Sequence, residues 1–250
     1  MSQIISAAVV VAFVAAFKGA LKRHPAAFYA LAALVAAAGV YFTFNPNPNG
    51  AARAVAFAIQ KGHLGFSMLA VVMFVGVFDR GSAVRRALGP VRGELSIMGA
   101  ILMLAHIVPY LANYVSMAGA VLSLKPSVQS SLVVAVVLLV LLGVLAATSF
   151  KAVRARIDPR TWKRVQVLAY PFFLLVFVHL LGYLAVPLRA GAPDVVVGFA
   201  FYAVVFASYL VLRARRFVLD KRIEPIERRG AAADAVDGFK EVEQACKRTG

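Results

Sequence analysis

Charge is scarce in this chain, and cysteine is almost missing. Of its 250 residues 15% are charged, 11 are acidic and one is cysteine. Cys246 has no partner, so the chain holds neither an intrachain disulfide nor a cysteine-based metal motif. There is no glycine-rich phosphate loop, and the polar stretch after Arg213 is too small for a nucleotide-binding domain. The acidic residues, from Asp79 to Glu243, all lie in loops, at the ends of apolar runs or in the tail. Proton-coupled transporters usually place a carboxylate mid-membrane, so this absence argues against that class.

What is abundant is apolar. Hydrophobic residues make up 62% of the chain and the mean hydropathy is +0.82. Soluble domains fall far below that apolar share, which makes this an integral membrane protein. A net charge of +16 would point to nucleic acid in a soluble protein. Here the basic residues cluster between apolar runs, where they set topology against anionic lipid. The bilayer is therefore the expected partner, and nucleic acid is not. The Ala/Val/Arg-rich usage suggests a bacterium, hence a multi-pass protein of the bacterial cytoplasmic (inner) membrane.

Seven stretches are candidate spans: 3–17, 25–44, 54–78, 95–117, 129–149, 166–187 and 194–212. The first is short. No Lys or Arg precedes it, so it does not read as a secretory signal. Lys18, Lys22 and Arg23 follow span 1, Arg80, Arg85, Arg86 and Arg92 follow span 3, and six cations from Lys151 to Arg164 follow span 5. The alternate loops carry only Arg53 and Lys61, then Lys125, then Arg189. This predicts an all-α polytopic membrane bundle of about six to seven helices, N-terminus outside and C-terminus cytoplasmic. Asn45 to Gly50 reads as an outer turn.

Two histidines interrupt the apolar runs at one depth. His106 lies 14 residues after Arg92, and His179 lies 13 after Gln166. At about 1.5 Å per residue, each imidazole is roughly 20 Å from the cytoplasmic boundary. Both fall in the outer half of a hydrocarbon core about 30 Å thick. Matched imidazoles on parallel spans are what a bis-histidine haem needs. Gly182 would leave room for a flat ring beside His179, and Pro109 and Pro171 would kink the two helices. The plainer reading is that each histidine glues helices by hydrogen bonding. His63, in Gln60-Lys61-Gly62-His63, is also in the outer half. It could ligate a second cofactor, bind a haem propionate, line a quinone pocket, or be a satisfied polar residue. Lys61 and Arg53 would suit propionates, and such side chains also snorkel near helix ends. His24 precedes Pro25 in a basic loop and reads as solvated.

The stretch Leu142–Tyr183 resembles the ferric-reductase-type transmembrane family. The matching residues are Ala147-Thr148-Ser149, a basic loop, Trp162-Lys163-Arg164-Val165-Gln166, Tyr170 and His179. Gly62 through Arg92 to His106 and Tyr110 matches more loosely, and the likeness covers roughly 54–213. It is nearest to the MsrQ-type haem-binding membrane subunit of bacterial periplasmic methionine sulfoxide reductase systems. That resemblance implies His106 and His179 as axial ligands of one outer haem b. It also implies that an inner haem is missing, because Gln166 stands where the larger two-haem relatives carry a histidine and Arg92 and Gly93 stand at the partner position.

The domain reading is an extra N-terminal span and basic loop at 1–24, a ferric-reductase-like transmembrane haem domain at 25–213 between whose spans 3, 4 and 6 the haem would lie, and a polar cytoplasmic tail at 214–250. The expected function is a b-type cytochrome subunit, not a self-contained enzyme. With no flavin or nicotinamide module, electrons would come from quinol or from a cytoplasmic flavin reductase docked on the basic loops. They would leave to an extracytoplasmic reductase or other redox protein: the resemblance suggests a molybdopterin reductase, while a flavoprotein or multihaem partner is equally permitted. Quinone or FMN near Gln166 is a further expected cofactor. The rival readings are a small multi-span transporter or channel with intramembrane histidines, and a structural anchor whose histidines only pack.

Overall fold

A computed structural model describes residues 2–45, 49–79, 81–117, 120 and 123–249, with only the backbone described for 222–249. Pro46–Pro48 of the outer turn, Arg80 of the second basic loop, and the side chains of the tail therefore lie outside the described residues. Every regular element among those described is helical. In chain order these are α1 (Ser2–Arg23), α2 (Pro25–Phe44), α3 (Gly50–Gln60), α4 (His63–Val75), α5 (Ala83–Leu88), α6 (Arg92–Ser116), α7 (Pro126–Ala147), α8 (Lys151–Arg154), α9 (Pro159–Val167), α10 (Ala169–Arg189) and α11 (Pro193–Thr249). A 3-10 turn, Gly89–Val91, leads into α6.

Among the described residues six helices are long and apolar enough to cross a membrane, or up to seven if α3 and α4 count as one bent span. The sequence predicts one span over 54–78. Instead α3 and α4 meet at 52° across Lys61 and Gly62. Gly62 adopts φ +71°, the left-handed region that glycine enters without steric cost and that commonly ends helices. The first span, expected over 3–17, is a full helix of 22 residues. Its polar residues Gln3 and Ser6 face inward with Val10, Val14 and Leu21, at helical spacing. The two prolines sit differently in their helices. α6 continues through Pro109. Pro171 lies in the first turn of α10, just after the turn at Leu168 that parts α9 from α10. A proline there gives up an N–H that a helix start does not use.

Local chemistry explains the short elements. Asn49 caps α3 by accepting from Ala52 N–H, Ser82 caps α5 by accepting from Arg85 N–H, and Asp158 caps α9 by accepting from Arg160 and Thr161 N–H. Pro159 occupies the first helical position behind its cap.

Contacts divide the chain into two compact units, Met1–Ala207 and Ser208–Gly250. Within the first, α4, α6 and α1 share an apolar core around Met68, Val72, Leu95, Met98, Val10 and Leu21. A second cluster joins Leu69, Ala100, Leu142, Leu145 and Phe172 from α4, α6, α7 and α10. Outward faces are also apolar: Val133, Val136 and Val140 of α7 are 68%, 64% and 62% exposed. Such a stripe has lipid as its natural neighbour.

The basic loops share a side. Lys151 Nζ meets the Glu94 carboxylate at 2.9 Å, joining the loop after α7 to the start of α6. Tyr29, near the start of α2, contacts the Phe150 ring at 6.3 Å.

Candidate functional site

His106 is on α6 and His179 on α10. These helices have different neighbours along their backbones: α6 lies on α4 and α2, while α10 lies on α7. Side chains bridge the two. The His106 ring is 5.1 Å from Tyr110, Tyr110 is 6.4 Å from Tyr183, and Tyr183 is 5.2 Å from His179, all between ring centroids. The hydroxyls of Tyr114 and Tyr183 are hydrogen-bonded to each other. An aromatic chain therefore links both histidines across the gap.

Each imidazole is tied at the same atom. His106 Nδ1 donates to the backbone carbonyl of Gln60. His179 Nδ1 donates to the backbone carbonyl of Ser131 at 3.0 Å and also lies 3.0 Å from Ser131 Oγ. A carbonyl only accepts, so the proton is on Nδ1 in both rings. That leaves Nε2 of each as the nitrogen with a free lone pair. Ser131 closes the link by donating its hydroxyl to the His179 carbonyl at 2.9 Å.

Lys61 joins this group, with Nζ donating to Tyr110 Oη at 3.5 Å. His63, one residue past the break, is buried and takes another direction. Its Nδ1 lies 3.4 Å from Ser2 Oγ on α1, and its ring meets Phe57 edge-on at 5.8 Å. Gln166 is elsewhere, on α9 toward the basic side, donating to Thr148 Oγ1 at 3.1 Å. Trp162 Nε1 donates to the Thr148 carbonyl at 3.0 Å, so the residues that carried the resemblance in the loop bind one another. Trp162 and Gln166 help to line a cavity of about 290 Å³, with apolar Leu69, Val72 and Phe172 and charged Arg92, Glu94 and Arg154.

One local expectation is corrected. Gly182 does not open space for a flat ring. A Cβ there would come within 2.7 Å of Ser131 Cβ and 3.0 Å of the Ser127 carbonyl. The glycine lets α7 approach α10, which is what brings Ser131 to His179. Sequence reasoning missed Ser131, Tyr114 and the Gln60 carbonyl. Ser131 stands beside Ser130 in the polar start of α7, and only the fold shows that it is the buried one. Among the described residues no group of three or more His, Cys, Asp or Glu gathers to hold a metal ion.

Residues 61–177 match the family model of the ferric reductase like transmembrane component. The resemblance seen in the sequence therefore holds over that stretch, and it suggests a membrane redox component. An uncharacterized protein of Treponema pallidum (strain Nichols) is 34% identical over 227 residues, which is 89% of this chain and 62% of that protein. The chain thus spans about three fifths of the length of this relative. No solved structure matches.

Proposed function

From the ferric-reductase-like segment at 61–177, we propose that the chain is a b-type cytochrome subunit that holds one haem b between His106 and His179. One observation carries this reading. On both histidines Nδ1 is committed to a backbone carbonyl, which leaves two Nε2 lone pairs on two helices whose tyrosines link the rings. Metal-binding histidines are commonly oriented in this way, through the ring nitrogen that does not ligate. The donor set therefore fits an iron porphyrin with two axial imidazoles. When bound, the haem supplies reversible one-electron transfer; the chain's residues supply ligands, orientation and exclusion of water. Lys61, with Tyr110, would hold a propionate near the outer edge, and His63 would support the α1 contact without ligating.

In this reading the protein sits in a bacterial cytoplasmic membrane with its basic loops in the cytoplasm. Quinol or a flavin reductase supplies electrons there, and an extracytoplasmic reductase or other redox protein receives them. The cavity beside Gln166 is the place for a quinone or FMN ring on the donor side. Its mixed lining, part apolar and part charged, suits a ring with a polar edge.

Ligand substitution tests the proposal. The wild-type protein should give a b-type reduced-minus-oxidised spectrum. His106→Ala and His179→Ala should each abolish it, while His63→Ala should keep most of it. A full signal in either of the first two variants would overturn the assignment.

A further inference from the structure

The break in span 3 is the feature the proposed function leaves unexplained. An apolar span has every reason to stay helical, because lipid offers nothing to a freed backbone carbonyl. This one stops at Gln60 and restarts at His63. The hydrogen bonds around the break are specific. Lys61 N–H donates to the Phe57 carbonyl at 3.0 Å, Gly62 N–H to Ile59 at 2.8 Å and Phe66 N–H to Gly62 at 2.8 Å. The Gln60 carbonyl stands at the end of α3, immediately before this break. In a continuous helix Leu64 N–H would take that carbonyl. Here it accepts from His106 Nδ1, on another helix.

The same two-residue step fixes the neighbouring turn of α6. Lys61 reaches Tyr110, four residues on from His106 and so on the same helical face. Gly62 itself lies against the His106 ring, where an added Cβ would come within 3.3 Å of Cγ. Gly62 is thus required for its left-handed backbone, while an added Cβ would ask the His106 ring to give by only a few tenths of an ångström. The other histidine is held differently. Ser131 lies inside the uninterrupted α7, where its carbonyl also belongs to the helical ladder, and the serine hydroxyl reinforces the contact.

We propose that the break at Lys61–Gly62 is a positioning device for His106. By turning the chain in the left-handed conformation where α3 ends, Gly62 holds the Gln60 carbonyl against His106, orienting the imidazole and setting its donor strength through Nδ1. Gly62 acts through His106 and touches no iron. The inference rests on the haem reading of His106, and it adds that the two axial ligands are unequal by construction.

The test compares Gly62→Ala with Gly62→Asn in the purified holoprotein. Both variants add the Cβ beside His106, but asparagine tolerates the left-handed backbone far better than alanine. The readouts are haem content, the electron paramagnetic resonance spectrum of the ferric form, and the midpoint potential. Gly62→Ala should lower haem content, shift the low-spin signal and raise the potential, with Gly62→Asn close to wild type. Failure of Gly62→Ala to accumulate, with Gly62→Asn accumulating and binding haem, supports the same conclusion. Unchanged spectra and potential in Gly62→Ala would overturn it, and so would equal damage in both variants, which would make the effect one of contact alone. A measurement on the unaltered protein covers the case in which neither variant accumulates. Gln60 is one of five glutamines, so carbonyl-labelled glutamine should give an isotope-sensitive amide band in the redox-difference infrared spectrum. Lack of any such band would overturn the inference. Wild-type protein without haem would instead refute the haem reading itself.

Discussion

At the scale of single residues, the site depends on small side chains that let larger groups meet. Ser131 is buried at 2% exposure, and its hydroxyl serves both the carbonyl and the ring of His179. Ser131→Ala should keep the Nδ1 bond to the backbone and so keep haem, at a cost of about 1 kcal/mol, the usual net value of one such hydrogen bond. Thermal melting of the haem-bound protein checks this; loss of haem in that variant would mean that the hydroxyl, not the carbonyl, orients the ring. Gly182→Val should be worse, by about 1–3 kcal/mol, because it overfills the contact with Ser131. The two histidines were legible in the sequence because an ionisable residue in an apolar run stands out. Their carbonyl partners were not, since every residue carries the same backbone oxygen. Gly182 shows the limit: a glycine tells that something comes close, and only the fold tells that it is Ser131.

At the scale of elements, helix ends were readable and a change of direction was not. Lys and Arg mark the ends of most spans, and the observed helices follow them. The break between α3 and α4 sits inside a stretch that stays apolar on both sides of Lys61-Gly62-His63, so hydropathy alone cannot reveal it. The loop residues Asp158-Pro159 did carry a helix start, which becomes clear once the cap bonds of α9 are seen. The start of α6 supplies a prediction. Glu94 is buried, pairs with Lys151, and lies in the first helical turn, where the positive end of the helix favours an anion. Because the Lys151 side chain is 79% exposed, the pair is partly screened. Lys151→Ala should therefore cost less than about 1 kcal/mol, while Glu94→Lys, which reverses the buried charge, should strongly reduce accumulation in the membrane. Melting temperature and membrane yield read these effects.

At the scale of the whole molecule, the claim is a bundle with one sidedness and one cofactor. The single cysteine makes the sidedness easy to probe. In a Cys246→Ser background, Lys163→Cys should be labelled only from the cytoplasmic face and Ala192→Cys only from the opposite face. Labelling of both from one side would contradict the charge-based topology. The cofactor claim has a more direct test: quantification of pyridine haemochrome on the purified chain, read together with its reduced-minus-oxidised spectrum. The account predicts one b-type haem per chain with a low-spin, bis-imidazole signature. A colourless protein would contradict it, and two haems per chain would show that His63 or the Gln166 region has been misread.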